Sequence, residues 1–295
     1  MITNQNRAEV LAQALPYIRK YHGKTVVVKY GGNAMKSETL KEQVMEDIVL
    51  LSKVGLRVVL VHGGGPELSE MMQKLGKKPQ FINGLRVTDQ ETIDIAEMVL
   101  AGRINKSLVN LLQVKGGLAV GLSGMDARLI TAKIRDPQYG FVGDVTGVNP
   151  EIINDLLDQG YIPVVSTLGC DEEGNTYNIN GDTAAGQIAG AIGAERMIMM
   201  TDISGVLRDK DNPDTLIKEL TLNEAADLME EGVIKDGMIP KVQCCVDAVN
   251  AGVKAVVIID GTIPHAILME ILTDEGAGTM IREEHTPEYL ERNGL

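Results

Sequence analysis

Five runs of apolar, mostly β-branched residues punctuate the chain, and most of them break at glycine just before a segment with helical periodicity. Thr25-Val26-Val27-Val28-Lys29-Tyr30 meets Gly31-Gly32, and Val58-Val59-Leu60-Val61-His62 meets Gly63-Gly64-Gly65. Met197-Ile198-Met199-Met200-Thr201 leads into Asp202-Ile203-Ser204-Gly205, and Ala255-Val256-Val257-Ile258-Ile259 into Asp260-Gly261. Tyr161-Ile162-Pro163-Val164-Val165 precedes a stretch rich in Gly and Asn. Runs that stay apolar at successive positions suit strands buried on both faces. Helical patterns over 37–54, 66–75, 89–114, 150–159, 182–192, 222–231 and 238–251 lie between them. That alternation predicts βαβ units and an α/β fold: a mainly parallel central sheet sandwiched by helices. Segments 80–88, 129–133 and 143–148 predict appended hairpins. No linker rich in Pro, Gly or Ser divides the chain, so one domain is expected over 1–295.

Charge narrows the function classes. The 295 residues carry 28 Lys and Arg against 41 Asp and Glu, a net −13. A general nucleic-acid surface needs a basic face and is disfavoured. No apolar run approaches the ~18 residues of a membrane helix, and the polar start lacks the apolar core of a signal peptide. Three cysteines, two of them adjacent at 244 and 245, form no even disulfide framework. A reducing, cytoplasmic setting is expected. With no Trp and two Phe, the core must be filled by aliphatic residues and Met, while 32 glycines suit tight strand-to-helix turns.

The chemistry-bearing residues cluster at those turns. Gly31-Gly32 and Gly63-Gly64-Gly65 end strands and open helices, where backbone N–H groups and helix dipoles favour an anion. Neither loop matches GxxxxGK[ST] or GxGxxG, so a Walker-type NTPase and a dinucleotide fold are disfavoured. Lys29 closes an apolar strand and needs an anionic partner, either a protein carboxylate or a ligand phosphate. Lys241 follows Pro240 at a helix start and is either solvated or aimed at the same anion. Asp182 follows Asn178-Ile179-Asn180-Gly181 and is either a helix cap or a functional carboxylate. Arg86 lies in the 80–88 hairpin, where most arginines are only solvated, so alone it means little. His62, alone at its strand end, fits a hydrogen-bonded structural histidine. Cys244 and Cys245 fit packing positions on a helix, and Glu283-Glu284 a solvated surface.

In order along the chain, Val28-Lys29-Tyr30-Gly31-Gly32-Asn33-Ala34-Met35, Val61-His62-Gly63-Gly64-Gly65-Pro66, Asn83-Gly84-Leu85-Arg86-Val87-Thr88, Tyr177-Asn178-Ile179-Asn180-Gly181-Asp182 and Met238-Ile239-Pro240-Lys241 closely resemble the amino-acid kinase family. Within it they are similar to the branch that phosphorylates N-acetyl-L-glutamate. Each motif is weak alone; the ordered set, spanning nearly the whole chain, is specific. Carbamate and uridylate kinases look different around the first glycine loop. Gly181 stands where the family often has Ala, and the segment between Lys133 and Gly143 is short.

The resemblance implies ATP-dependent transfer of a phosphoryl group to a side-chain carboxylate, a step of arginine biosynthesis. It implies that Lys29 and Lys241 approach the moving group from opposite sides, that Gly32 and Gly64 donate N–H bonds to it, and that Asp182 holds both lysines. Gly64, Gly65, Arg86 and Asn178 would bind N-acetyl-L-glutamate. ATP would lie along Lys29, Gly31, Gly32, Thr201, Asp202, Met238 and Lys241, with Mg²⁺ carried on its phosphates and no protein metal site. The substrate-binding and dimerisation lobe would span about 25–180 and the ATP lobe about 181–295.

Residues 1–24 precede the first strand. Val10, Ala14, Ile18 and Tyr21 share a helical stripe, with Leu11 and Leu15 beside it and Pro16 expected to kink the helix. This helix either packs on its own domain or docks on another subunit. By resemblance, Ala14-Leu15-Pro16-Tyr17-Ile18-Arg19 implies the arm of arginine-inhibited hexamers built from dimers, with an L-arginine site near Tyr17, Glu270 and Gly276. Some such relatives bind a trimeric nitrogen-signalling protein of the P-II type, which makes that a partner to test. Rival expectations are a different carboxylate or carbamate kinase of the same fold, or a catalytically silent arginine sensor.

Overall fold

The computed structural model describes residues 3–35 and 37–293. The five runs are all strands, and three more join them in one eight-stranded sheet. Its order is Glu219–Thr221, Gly278–Arg282, Ala255–Asp260, Arg196–Thr201, Thr25–Tyr30, Arg57–His62, Ile162–Ser166, Ala119–Ser123. The last six run parallel; Gly278–Arg282 is antiparallel to Ala255–Asp260 and carries Glu219–Thr221 beside it. The added three escape a periodicity reading for a physical reason. Ala119–Ser123 is an edge strand broken by Gly121, and the other two are short or mixed with Thr, Arg and Glu.

Alternate residues of each central strand feed two separate cores. Val26, Val28, Leu60, Val164, Ile198 and Ile259 pack beneath the helices Glu38–Lys53, Asn105–Val114 and Ala266–Leu272. Val27, Val59, Val165, Met197 and Ile258 pack beneath Glu151–Asp158, Gly181–Ala191 and Met238–Asn250. Each fully buried Val or Ile side chain contributes about 1.5–3 kcal/mol, so either face alone would be an inadequate core for this sheet.

The chain leaves Thr25–Tyr30 toward Arg57–His62 on one side and reaches Arg196–Thr201 on the other. The strand order reverses there, so the carboxyl ends of these strands splay their connections apart and open a crevice. A second sheet, of Thr176–Asn178, Leu168–Cys170, Ile130–Ile134 and Gly143–Val148, and the hairpin Phe81–Ile82/Leu85–Arg86 stand over this end.

Two helical expectations are modified. The 89–114 helix contains a π-helical stretch, Glu97–Ile104, whose wider turn presents Leu100 and Ile104 to the second glycine loop. The N-terminal helix does not merely kink: Asn4–Gln13 ends, and Leu15–Tyr21 restarts with Pro16 in its first turn. Proline lacks the N–H and crowds the preceding turn, so the break falls just before it. The second segment docks on the domain through buried Tyr21, while Val10, Leu11 and Leu15 remain exposed.

Candidate functional site

Both glycine loops lie side by side because their strands pair in register, with Tyr30 opposite His62. The Gly63 N–H donates to the Tyr30 carbonyl at 3.1 Å and ties the loops together. One position there excludes a side chain: a Cβ on Gly64 would collide with Ile104 and Leu100. A Cβ on Gly31 would lie 3.3 Å from the flexible end of Lys29, tight but adjustable.

Lys29 Nζ lies 2.8 Å from Asp182 Oδ1, with both side chains mostly shielded. Of the two readings of Asp182, the helix cap falls to Asn180, whose Oδ1 accepts the N–H groups of Asp182 and Thr183 at 2.9 and 3.1 Å. Asp182 thus stands free of capping, in the first turn of Gly181–Ala191. Lys241 occupies the first turn of Met238–Asn250. These two helices run parallel in close contact, Gly186 facing Ala248 and Gly190 facing Ala251, with Cys244 beside Asp182 and Thr183. Their positive ends therefore emerge together, next to that of Gly65–Lys74. Lys241 is half-buried, and among the described residues no ion pair joins it to Asp182. The single carboxylate holding both lysines, implied by resemblance, is here paired with Lys29 alone.

Two cavities flank this centre. One, of about 170 Å³, is lined by Gly63, Gly64, Gly65, Arg86, Asn178 and Gly181 together with apolar side chains. Arg86 is 7% exposed; its Nη2 donates to the Gly65 carbonyl at 2.9 Å and to Ser69 Oγ at 2.7 Å, and Phe81 covers its face. Among the described residues no carboxylate lies within ion-pair distance of it. Burial lowers its pKa, the mark of a cation stripped of water without a compensating anion. The other cavity, of about 420 Å³, is lined by residues 202–207, 233–236 and Met238. Asp202 and Met238 both line it. Thr201 does not: it is buried, and its hydroxyl accepts the Ile203 N–H and bonds the Ile203 carbonyl, so it shapes the turn instead of facing a ligand. Gly32 is exposed, in a left-handed conformation, and lines neither cavity.

His62 is wholly buried and hydrogen-bonded, as expected, and burial holds its pKa down to about 4. Asn105, which contacts it, was not singled out from sequence; an isolated Asn inside a helical pattern carries no signal of its own. Cys245 packs in the core, and burial pushes both adjacent thiols upward.

A third cavity, of about 290 Å³, lies under the N-terminal helices and brings together Tyr17, Glu270 and Gly276 with Lys20, Arg196 and Lys218. Glu270 is buried and accepts the Ala277 N–H at 2.9 Å; burial raises its pKa.

The amino acid kinase family model matches residues 24–260. The chain belongs to this family. It is 56% identical over 276 residues to the acetylglutamate kinase of a Nostoc species, covering 93% of each chain. It is 50% identical to that of Pelotomaculum thermopropionicum, covering 96% of this chain and all of the other. Among solved structures it is similar to N-acetylglutamate synthase from Neisseria gonorrhoeae complexed with coenzyme A and N-acetyl-glutamate, with TM-score 0.81 and 27% identity over 97% of this chain and 70% of that one. The same synthase with coenzyme A and L-arginine gives TM-score 0.77 at 26% identity, over 98% and 70%. Giardia carbamate kinase, at 18% identity and TM-score 0.64, shares the fold.

Proposed function

We propose that this chain is an acetylglutamate kinase: it transfers the γ-phosphoryl group of ATP to the side-chain carboxylate of N-acetyl-L-glutamate, forming an acyl phosphate for arginine biosynthesis. The observation that carries the reading is the buried Arg86 guanidinium, without a carboxylate, facing a cavity of glycine N–H groups beside Lys29. Arg86 and Asn178 bind the amino-acid end of the substrate, and a planar fork suits its α-carboxylate. The nucleotide takes the neighbouring cavity at Asp202 and Met238 and extends its phosphates toward Lys29 and Lys241. Gly32 and Gly64 donate to the transferred group. Phosphoryl transfer needs mainly alignment and charge neutralisation. The attacking carboxylate is already ionised at neutral pH, so no protein base is required. Mg²⁺ fits as cargo of ATP, because the Asp182 carboxylate is engaged by Lys29.

L-arginine is the proposed inhibitor, held in the third cavity with its guanidinium at Glu270. The arginine-complexed synthase named above supports this, as does the meeting of Tyr17 and Glu270 in one cavity. Exposed Val10, Leu11 and Leu15 support an arm that joins dimers into a hexamer. A cytoplasmic setting is part of this reading, and a P-II-type regulator is a partner to test by co-elution. Among the described residues no helix is long and apolar enough to cross a membrane.

Turnover with ATP and N-acetyl-L-glutamate, with and without arginine, tests the reading. Acyl phosphate formation, captured as its hydroxamate, is the expected result. Turnover of carbamate but not of N-acetyl-L-glutamate would replace it. Light scattering tests the assembly: the intact chain is a hexamer, and removal of residues 1–20 leaves active dimers less sensitive to arginine.

A further inference from the structure

The second glycine loop is held from behind by a buried relay. His62 Nδ1 lies 2.8 Å from the Gly63 carbonyl oxygen, and its Nε2 lies 3.1 Å from Asn105 Nδ2. The same Asn105 nitrogen also faces the carbonyls of Leu122 and Val164, at 3.1 and 2.8 Å. Two carbonyls can be met only by the NH₂ end of the amide, so the orientation of Asn105 is determined. The two N–H bonds of Asn105 serve those carbonyls, and an amide NH₂ cannot accept, so His62 Nε2 carries no proton; in the neutral ring the proton sits on Nδ1 and is donated to the Gly63 oxygen, which can only accept.

The consequence reaches the cavity through one planar peptide. The Gly63 C=O and the Gly64 N–H belong to the same trans unit and point in opposite directions. With the carbonyl drawn back to the imidazole, the N–H is turned away from it, on the side where Gly63, Gly64 and Gly65 line the cavity. Among the described residues that N–H has no hydrogen-bond partner. The π-helical stretch that ends at Ile104 delivers Asn105 to this contact.

We propose that His62 is a positioning residue for the phosphoryl transfer: its Nδ1–H clamps the Gly63 carbonyl and so aims the Gly64 N–H at the reacting group, while Asn105 sets the tautomer. The proposal rests on the reading of the site given above. Burial keeps the ring neutral over the physiological range, so the clamp does not switch with pH. Packing alone does not require this arrangement, since an aliphatic side chain would fill the site without holding the carbonyl.

Two substitutions separate positioning from packing. The amide nitrogen of Asn occupies nearly the place of imidazole Nδ1, whereas that of Gln reaches the place of Nε2. His62→Gln is expected to lower kcat by about 100-fold or more, the typical effect of losing one such donor, with both KM values little changed. His62→Asn is expected to recover at least about tenfold of that loss although both variants melt earlier. Equal kcat in the two variants, or activity that simply follows melting temperature, would overturn the proposal. A further measurement needs no substitution and no substrate. In protein labelled with ¹⁵N at its four histidines, NMR is expected to show His62 protonated on Nδ1 and bare on Nε2; the opposite tautomer overturns the clamp. Turnover by the unaltered chain tests the reaction itself, so failure of the clamp and failure of the reaction are read separately.

Discussion

The cavity at the carboxyl edge of the sheet and the cavity beneath the N-terminal helices differ in both charge and construction. The first contains one guanidinium, backbone N–H groups and no acidic lining residue. The second mixes Lys20, Arg196 and Lys218 with Glu219, Glu270 and Asp274. A site of the first kind selects an anion; one of the second kind suits a zwitterion with a cationic tail. Their construction differs too. The first hangs on adjacent parallel strands and the loops they fix. The second joins residues 17–21 to residues 270–289, and Tyr21 is fastened there by Arg196 through a 2.6 Å hydrogen bond to its hydroxyl. A shift of the N-terminal helices changes the second cavity directly and reaches the strand ends only through Arg196, which begins the strand Arg196–Thr201 and holds Tyr21. Such a pair fits chemistry at a rigid site and control at a deformable one, because an effector acts only through differential affinity for two states.

The largest expected effect falls on the rigid side. Lys29→Ala or Lys241→Ala should lower kcat by on the order of 100–1000-fold, since each removes a cation from the path of the transferred group. Arginine binding, followed by calorimetry, should be nearly unaltered in both. Near-normal kcat in either folded variant removes that lysine from the mechanism. A parallel loss of arginine binding would break the division between the two cavities.

Next comes Arg86→Lys. An ammonium keeps the charge but not the bidentate fork. Losing part of a charge-assisted pair worth about 1.5–3 kcal/mol should raise KM for N-acetyl-L-glutamate roughly 10–100-fold. KM for ATP should hardly move. Equal effects on the two substrates would take Arg86 off the amino-acid side.

The cavity proposed for arginine gives a smaller, pH-dependent effect. Glu270 has a raised pKa when the cavity is empty, because burial penalises its charge. A guanidinium there favours the ionised form, so arginine binding expels a proton when it occurs below that pKa. Arginine inhibition should accordingly weaken as pH falls toward the raised carboxyl pKa and strengthen as pH rises above it. Glu270→Gln should lower arginine affinity by roughly tenfold and flatten this pH dependence. The KM for N-acetyl-L-glutamate, governed by a guanidinium that stays charged, should not share it. Inhibition curves taken at several pH values measure both; an identical pH response in wild type and Glu270→Gln would exclude this carboxylate.

The two cavities were also unequally legible in the sequence. Gly64, Asn178 and Gly181 sit in short motifs at strand-to-helix turns and Arg86 in a tight hairpin, so local pattern and cavity lining coincide. The central strands announce themselves because burial on both faces forces unbroken apolar runs. Ala119–Ser123 and Gly278–Arg282, near the sheet margins, face no such demand and pass unnoticed. Asn105 was silent because its role depends on three groups distant in sequence, His62, Leu122 and Val164. Thr201 adjoins a cavity-lining residue but turns inward, which sequence adjacency does not show. In the cavity proposed for arginine no motif links Tyr17 to Glu270, and only the family resemblance suggested their meeting.

The smallest effect tests how tightly the rigid site is built. Gly181 opens the Gly181–Ala191 helix where, by resemblance, the family often has Ala, and it lines the cavity that holds Arg86. A Cβ added there would lie 3.5 Å from Lys29 Cε, an ordinary van der Waals distance. Its backbone is not left-handed, so alanine fits without strain. Replacing Gly by Ala at such a site restricts the unfolded chain and stabilises by about 0.4–1 kcal/mol. For a chain of this length that corresponds to a melting point higher by about 0.6–1.6 °C. Gly181→Ala should therefore be slightly more stable, with kcat and arginine sensitivity close to the original. Calorimetry and a turnover assay decide it. A clear fall in kcat with the stability gain intact would mean that Lys29 needs the space left by Gly181 to follow the phosphoryl group, so that even the rigid site moves during transfer.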